Sequence, residues 1–319
     1  MKRIISLVLA VALMFVVTAC GGASSTKMTM GTGGTSGTYY AYGGVLGQYI
    51  TDNAGVNVTV VSTDGSKANI QEIDAGNYQL GTVQSDVMAY AWQGSRSFEE
   101  EGKIDSFRVV AGLYAEAVQL VTMNPEIKSV ADLKNKAVSI GAPGSGVYFN
   151  AIDVLTAAGL TEEDIKPQYQ SFADSADALK DGKIDAAFIV AGAPTPAITE
   201  LCTTNDAYLV PIDGSIAESL MASCPFYTTY KIPANTYEGQ TEDVTTVTVK
   251  ATLIVNADAD EEAVYNLTAA IFDNIDAITA EHAKGAELSL ENATSGMEAP
   301  FHVGAAKYFA EKGIEVAVD

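Results

Sequence analysis

A strand, a glycine-rich turn and the start of a helix follow one another twice in this chain, and this repeated unit constrains its fold. In the first copy, a short apolar run leads to the turn Gly31–Gly37, and a helical pattern follows. In the second copy, the apolar run 137–140 leads to the turn Gly141–Gly146. The first N–H groups of a helix have no intrahelical partner and attract anions, and glycine lets a ligand approach the backbone. Two such turns predict a ligand site between two α/β lobes.

Polar side chains near both turns are candidates for the same site. Thr35, Ser36 and Thr38 offer hydroxyl donors at the first turn, and Asn150 offers an amide after the second. A local bond to the backbone is the alternative role for Asn150. Each turn is also compatible with an ordinary tight connection between a strand and a helix, and spacing alone leaves both interpretations open.

The first twenty residues have the pattern of a targeting segment. Lys2 and Arg3 precede an apolar run, and Val17–Cys20 resembles the lipobox of bacterial lipoproteins. Removal of residues 1–19 as a signal peptide would leave Cys20 as a lipid-modified N-terminus, followed by a tether over residues 20–27. This pattern predicts an extracytoplasmic protein anchored to the cell membrane through Cys20. A plain secretory signal or a single membrane anchor is the alternative, although the apolar run is short for a span.

The charge of the chain argues against nucleic acid as a partner. Asp and Glu number 40 and Lys and Arg number 18, which gives a formal net charge of −22. Loss of Lys2 and Arg3 with the signal peptide makes this −24. A nucleic-acid binder needs a basic surface that displaces counterions. The acidic excess would also repel a small anion at long range, so an anion site here must depend on local donors.

Cys202 and Cys224 remain if Cys20 carries a lipid, and an even pair in an oxidising compartment favours a disulfide. Such a bond would close a loop of about 20 residues and add about 3 kcal/mol in the chain-entropy model. Two small buried thiols are the alternative. The two histidines, His282 and His302, have no clustered ligand partners, so we expect neither a metal nor another cofactor.

Strands alternate with helices along the mature chain, which predicts a largely parallel sheet in each of two lobes. Separate strands are predicted at 107–113 and 118–123. The β-rich run 244–255 is interpreted as the strand by which the chain returns from the second lobe to the first. A single long helix is predicted over 261–283 from its apolar stripe. The predicted fold is therefore an α/β, two-lobed clamp with two crossing strands as its hinge. Lobe I comprises residues 28–118 plus 250–319, and lobe II comprises residues 119–249.

In its mature part the chain resembles a TAXI-type solute-binding protein, the extracytoplasmic receptor of one class of TRAP transporter. The likeness runs nearly end to end and rests on the order and spacing of many short segments. The segments are Gly31–Gly44, Ser62–Ser66, Val83–Asp86, Ile127–Lys134, Pro143–Gly146 with Asn150, Asp185–Phe188, Gly192–Ala197, Pro225–Tyr227 and His302–Ala305.

The resemblance implies a type II periplasmic-binding-protein fold and a monomeric receptor that hands its solute to membrane subunits driven by an ion gradient. The implied ligand is a small carboxylate, such as glutamate or 2-oxoglutarate. The implied binding positions are Gly34, Thr35, Ser36, Tyr39, Tyr40, Ser62, Gln84, Ser85, Ser145, Gly146, Asn150, Ala191 and Pro194. Asp86, next to this set, is more typical of a helix cap.

Departures from the family pattern suggest a preference among ligands. Ser36 stands where the family usually has Gly, and Val147 where it has Thr. Lys67-Ala68 replaces a frequent Val-Glu pair, which removes a carboxylate that could meet a substrate ammonium. An inward-pointing Lys67 would favour a second carboxylate, so the hypothesis is a dicarboxylate without an amino group. A solvated surface lysine is the alternative.

Enzyme classes fit the sequence poorly. Pro143 and Val147 occupy the outer positions of a nucleophile elbow around Ser145, and neither turn is followed by a phosphate-binding G-K-[ST]. We therefore expect a protein that is not an enzyme. A lipoprotein that senses its ligand for a signalling system is the first alternative, and an extracytoplasmic enzyme acting on a phosphorylated metabolite is the second.

Overall fold

The computed structural model describes residues 26–318, so the predicted signal peptide, Cys20 and most of the tether lie outside the described residues. These residues contain a mixed sheet whose neighbouring strands are hydrogen-bonded. Its strands are β1 Thr26–Gly31, β2 Val56–Val61, β3 Leu80–Gln84, β4 Phe107–Thr122, β5 Ala137–Ser139, β6 Lys166–Gln168, β7 Ala186–Ala191, β8 Tyr208–Val210, β9 Thr228–Ile232 and β10 Val244–Asn256.

Helices cover both faces of this sheet. They are α1 Thr38–Asn53, α2 Ser66–Asp74, α3 Ser85–Gln93, α4 Val147–Ala157, α5 Phe172–Lys180, α6 Pro196–Thr204, α7 Gly214–Ser223, α8 Glu261–Phe272, α9 Ile275–Glu281, α10 Leu290–Thr294 and α11 Val303–Glu311. Within residues 26–318, none of these helices is long and apolar enough to cross a membrane.

Two long strands, β4 and β10, run through the middle of the sheet and pair with each other in antiparallel fashion. The strand order is β2-β1-β3-β10-β4-β7-β5-β6, with β8 beside β4 and β9 beside β10. The pairs β1–β2, β1–β3, β5–β6 and β5–β7 are parallel. The β4–β10 pair therefore joins two parallel sheets into one.

Buried apolar side chains form separate cores at the two ends of these strands. The first lobe has one cluster, built from residues between Met28 and Tyr114 and between Ala251 and Phe309. The second lobe has two clusters, built from residues between Ala117 and Val249. Alternate residues of β7 enter different clusters, Phe188 one and Ile189 the other, so these clusters lie on opposite faces of the second-lobe sheet.

The predicted fold class, a two-lobed α/β protein with two crossing strands, is confirmed. The prediction of separate strands at 107–113 and 118–123 was wrong, because β4 is one strand of 16 residues. Residues 114–117, Tyr-Ala-Glu-Ala, contain neither Gly nor Pro, so nothing interrupts the extended backbone there. This continuity places Glu116 where the two lobes meet.

The long helix predicted over 261–283 was also wrong, since the chain forms α8 and α9 with a break at Asp273–Asn274. The Asn274 amide donates to the Ala270 carbonyl at 2.8 Å, and the Asp273 carboxylate accepts from the Tyr308 hydroxyl at 2.8 Å. Asn and Asp side chains compete with the helix for such bonds, and a tertiary partner fixes the break here.

The predicted Cys202–Cys224 disulfide does not form, and both residues are buried free thiols. Cys202 packs with α6 in one second-lobe cluster, and Cys224 follows α7 in the other. The sheet therefore separates the two sulfur atoms, although the two cysteines are close in sequence. Burial raises the pKa of the Cys202 thiol to about 11, which keeps it in the unreactive protonated form.

We predict that reduction leaves the stability of the protein unchanged, because no covalent link constrains its unfolded state. The melting temperature of protein lacking residues 1–20 is measured with and without dithiothreitol, and thiols are titrated in denaturant without prior reduction. Two reactive thiols and equal melting temperatures are expected. Absence of reactive thiols, with a fall in melting temperature on reduction, would restore the disulfide.

Candidate functional site

A cleft between the two lobes holds a cavity of about 470 Å³, a volume suited to a small metabolite. Both glycine-rich turns contribute to its wall, as does the end of β3. The lining residues are Gly33, Gly34, Thr35, Ser36, Gly37, Thr38, Tyr39, Ser62, Thr63, Asp64, Gly65, Ser66, Gln84, Glu116, Ala142, Ser145, Gly146, Val147, Gln170, Ser171, Phe172, Ala173, Val190 and Ala191.

Four helices begin at this cavity: α1 and α2 from the first lobe, and α4 and α5 from the second. Each helix has at least nine residues, so its first turn carries a useful positive partial charge. Gly37 and Gly146 precede α1 and α4 without a side-chain cap, which leaves those first-turn N–H groups open to the cleft. The cavity can therefore receive a carboxylate without a basic side chain.

Backbone hydrogen bonds cross the cleft and hold its two sides in contact. The first-turn N–H groups of Lys67 and Ala68 in α2 donate to the carbonyl of Gly144 at 3.1 and 3.3 Å. The Ala197 N–H donates to the Ser36 carbonyl at 3.1 Å, on the other side of the cleft. Part of the N-terminus of α2 thus serves lobe contact, and the described conformation is a closed one.

A buried amide, Asn150 of α4, connects the lobes below the cavity. Its Nδ2 donates to the Asp86 carboxylate at 2.9 Å and to the Tyr227 hydroxyl at 2.8 Å, and its Oδ1 accepts from Gln84 Nε2 at 2.8 Å. Because Asp86 accepts, Asn150 must present its NH₂ there, and Gln84 must then donate. This chain of bonds leaves Gln84 Oε1 buried without a partner at the cavity.

Glu116 of β4 is the buried carboxylate of the cavity, with 1% of its surface exposed. The Tyr39 hydroxyl of α1 donates to Glu116 Oε2 at 2.6 Å. Burial raises the pKa of Glu116 to about 8, although the bond from Tyr39 opposes this. Burial likewise raises the pKa of Asp86, below the cavity, to about 6. Both carboxyl groups carry an electrostatic cost when they ionise in the folded protein.

The charged side chains among the described lining residues are acidic. Asp64 is exposed at the rim and Glu116 is buried, and the lining contains no Lys, Arg or His. Within residues 26–318, no group of three or more His, Cys, Asp or Glu side chains is arranged to hold a metal ion. Recognition of a ligand in this cavity therefore depends on backbone N–H groups, hydroxyls, amides and carboxylates.

The structure brings most of the predicted binding residues together and leaves others outside. The predicted residues that line the cavity are Gly34, Thr35, Ser36, Tyr39, Ser62, Gln84, Ser145, Gly146 and Ala191; those that do not are Tyr40, Lys67, Ser85, Asn150 and Pro194. Tyr40 and Pro194 are exposed, while Ser85 accepts from the Lys250 N–H of β10. Asn150 acts from beneath through Gln84.

The hypothesis that Lys67 points into the site was wrong. Its ammonium lies 2.7 Å from the Glu101 carboxylate and donates to the Ser97 carbonyl at 2.6 Å, above the Phe98 ring. The side chain is thus paired outside the cavity and lowers the pKa of Glu101. Because Lys67 does not reach the cavity, it gives no reason to expect a dicarboxylate ligand without an amino group.

Two predicted hydroxyl donors are already bonded within their turns. Ser145 Oγ donates to the Ala142 carbonyl at 2.7 Å, and Ser62 Oγ donates to the Gly33 carbonyl at 3.0 Å. Both oxygens still have lone pairs, so towards a ligand these serines offer acceptors.

Sequence reasoning missed Glu116 and the N-terminus of α5 at Gln170–Ala173. Glu116 had a detectable signal, since it is the one carboxylate within the apolar run 107–122. A charge in an otherwise buried strand usually has a functional or structural reason. The Gln170–Ala173 segment had no comparable signal, because its proximity to the turns is set by the packing of the second lobe.

The two lobes, the crossing strands and the cleft between them define the two-lobed fold of periplasmic substrate-binding proteins. The chain belongs to the NMT1-like family, whose model matches residues 30–313.

Several solved structures share this fold at low sequence identity. A Bordetella bronchiseptica RB50 protein is 18% identical, with 89% of each chain covered and a TM-score of 0.54. PhnD1 from Prochlorococcus marinus, solved with methylphosphonate, is 12% identical, with 78% of this chain and 85% of that chain covered and a TM-score of 0.52. A putative L-cystine ABC transporter protein from Listeria monocytogenes is 16% identical, with 83% and 98% covered and a TM-score of 0.50. At these identities the likeness establishes the fold.

We predict that Gly146→Ala lowers ligand affinity at least tenfold without unfolding the protein. Gly146 has a right-handed backbone conformation that alanine adopts freely, but its added Cβ would lie 1.5 Å from Gln84 Oε1 across the cleft. Closure must then displace Gln84. Gly44→Ala is the matched control, since its Cβ meets open space on α1. Calorimetric titration and melting curves measure both variants, and an unchanged affinity for Gly146→Ala would contradict close lobe contact.

We predict that Glu116→Gln stabilises the ligand-free protein at pH 8.5 and has little effect near pH 4.5. The pKa of Glu116 rises from 4.5 to about 8 on folding, so folding becomes less favourable as pH increases between these values. The neutral amide removes this cost, which is up to about 5 kcal/mol at high pH. Denaturant unfolding at both pH values measures the effect. A loss of stability at pH 8.5 would show that Glu116 is a stabilising ion.

Proposed function

We propose that the protein is the extracytoplasmic receptor of a TAXI-type TRAP transporter, which captures a small organic acid between its lobes and delivers it to membrane subunits. The observation that carries this proposal is the cavity at which four helix N-termini from both lobes converge. A carboxylate placed there meets partial positive charge from both sides. The ligand thereby links the lobes and favours the closed form.

The size and contacts of the cleft support a ligand of the glutamate or 2-oxoglutarate class. A cavity of about 470 Å³ accommodates such a molecule. The hydrogen bonds from α2 to Gly144 and from Ala197 to Ser36 require the lobes to be in contact. A bound solute would be enclosed by these contacts, and the closed surface is the one that membrane subunits should recognise.

The assignment to the TAXI type rests on the segments of resemblance, which span Gly31–Ala305. In this proposal residues 28–118 plus 250–319 form one lobe and residues 119–249 the other. Residues 1–19 are a signal peptide, and Cys20 is the lipid anchor that retains a monomeric receptor at the membrane. The subunits it serves would use an ion gradient.

Binding without chemistry is part of the proposal. His282 and His302 lie outside the cavity, and the His302 ring is hydrogen-bonded to the Ala259 carbonyl and the Gly304 N–H. Cys202 and Cys224 are buried in the second-lobe clusters. The described lining thus offers no histidine-activated nucleophile of the kind that a triad requires.

The proposal predicts that a small carboxylate raises the melting temperature of protein lacking residues 1–20, after refolding from denaturant to remove carried ligand. A ligand that binds only the native state adds about 2.7 kcal/mol at a hundredfold excess over its Kd. The panel contains glutamate, glutamine, 2-oxoglutarate, C4 dicarboxylates, aromatic and branched amino acids, and phosphorylated sugars.

Two further measurements make this test specific. Lys67→Ala should bind the same ligand with wild-type affinity, because its side chain is paired outside the cavity. Uptake by vesicles containing the membrane subunits should stop when the ion gradient is collapsed. If no compound in the panel raised the melting temperature, the carboxylate-receptor proposal would be contradicted. Uptake that required ATP and persisted after collapse of the ion gradient would contradict the TRAP assignment.

A further inference from the structure

Glu116 is a buried acceptor in the cavity that has unused capacity for hydrogen bonds. Gln84 Oε1 also lacks a partner, but it is enclosed against Gly146. Glu116 accepts a bond from Tyr39 through Oε2 alone, and no basic side chain of residues 26–318 forms an ion pair with it. A buried acceptor without a donor costs about 1–3 kcal/mol, and more when it is charged. A donor from the ligand would therefore stabilise Glu116 in its ionised form.

The neighbours of Glu116 do not supply that donor. The charge of Lys284 lowers the pKa of Glu116, but its ammonium is 2.6 Å from Glu287 and its side chain is 4% exposed. Tyr39 already donates its hydroxyl proton, and Asp86 adds a second carboxyl group nearby. An ammonium group from the ligand would provide both hydrogen-bond donors and the missing positive charge.

The cavity thus offers two kinds of group to a ligand: N–H donors at the starts of α1 and α4, and the acceptor Glu116. A zwitterion satisfies both kinds, whereas a plain dicarboxylate places its own negative charge beside Glu116.

We propose that Glu116 forms a subsite for a protonated amino group, so that the solute is an amino acid or a related zwitterion and not a plain organic acid. This inference rests on the proposed receptor function and names the class of its ligand. Asp86 and Asn150 hold the Gln84 amide in place, and Gln84 Oε1 packs against Gly146. Glu116 is the specificity-determining residue.

Matched ligands that share a carbon skeleton test the proposal by calorimetric titration of refolded protein at pH 7. Each set contains the 2-amino, 2-oxo and 2-hydroxy acid: glutamate, 2-oxoglutarate and 2-hydroxyglutarate; alanine, pyruvate and lactate; phenylalanine, phenylpyruvate and phenyllactate. The tightest ligand is expected to be an amino acid that binds at least 100-fold more tightly than its oxo and hydroxy partners. An oxo or hydroxy acid that bound as tightly as its amino partner, or more tightly, would overturn the inference but would not contradict the receptor function.

Proton linkage supplies an independent readout. Burial holds the pKa of Glu116 at about 8 in the empty cavity, so an ammonium that binds beside it at pH 7 must displace a proton. Titrations in buffers of different ionisation enthalpy should show release of up to one proton. The other titratable groups that interact with Glu116 are Tyr39, Tyr114, Asp86 and Lys284, and Asp64 lies at the rim of the cavity. Proton uptake, as expected when a protonated Glu116 donates to a ligand carboxylate, would overturn the proposal.

Glu116→Gln should lower the affinity for the amino acid at least 100-fold, abolish the buffer dependence and leave the protein folded. Glu116→Asp, which keeps the charge, should retain the preference for the amino group. Glu99→Gln is the matched control for net charge, because Glu99 is exposed outside the cavity. Wild-type affinity and wild-type proton release in Glu116→Gln would overturn the inference. Failure of every ligand in the panel to bind would overturn the receptor function and this inference together.

Discussion

The three hydrogen bonds of Asn150 are the interaction on which the site depends. This fully buried amide lies in the second lobe and bonds to Gln84 and Asp86 of the first. Its bond to the Tyr227 hydroxyl continues the network, since that hydroxyl is 3.0 Å from Asp153, and Asp153 pairs with Arg96 at 2.7 Å. An amide in this place can satisfy donors and acceptors at once, so polar groups from both lobes remain paired away from water. The same network fixes the position of Gln84 at the wall of the cavity.

The long strands explain why a site assembled from both lobes can also open. Around Glu116, β4 leaves its pairing with β10 and continues beside β7, and Ala117 pairs with both Thr248 and Ala191. The covalent links between the lobes are thus extended strands, while the cross-cleft contacts are hydrogen bonds that water can replace. A ligand that bridges helix N-termini from both sides adds free energy only to the closed state, which is the condition for a population shift. Glu116 lies at the point where β4 passes from one lobe to the other, so any change in the angle between the lobes alters its surroundings.

The fold was readable from sequence because its signals are local, whereas much of the site depends on distant partners. Apolar runs bounded by glycine located β1, β5 and β7, and the two turns proved to line one cavity. The direction of Lys67 is set by Glu101, more than a helix away along the chain, and no local pattern contains that pairing. The thiols of Cys202 and Cys224 are close in sequence but lie on opposite faces of a sheet. Glu116 could have been suspected as a lone charge in an apolar strand, yet its pairing with Tyr39 is tertiary.

A crystal structure of refolded protein with its tightest-binding ligand would test the central claim most directly. One molecule enclosed between the lobes is expected, with a carboxylate at the N-termini of α1 and α4 and a nitrogen within hydrogen-bond distance of Glu116. The contacts from α2 to Gly144 should be present in the same crystal. A ligand bound outside the cleft, or one whose carboxylate lies against Glu116 with no nitrogen there, would contradict it.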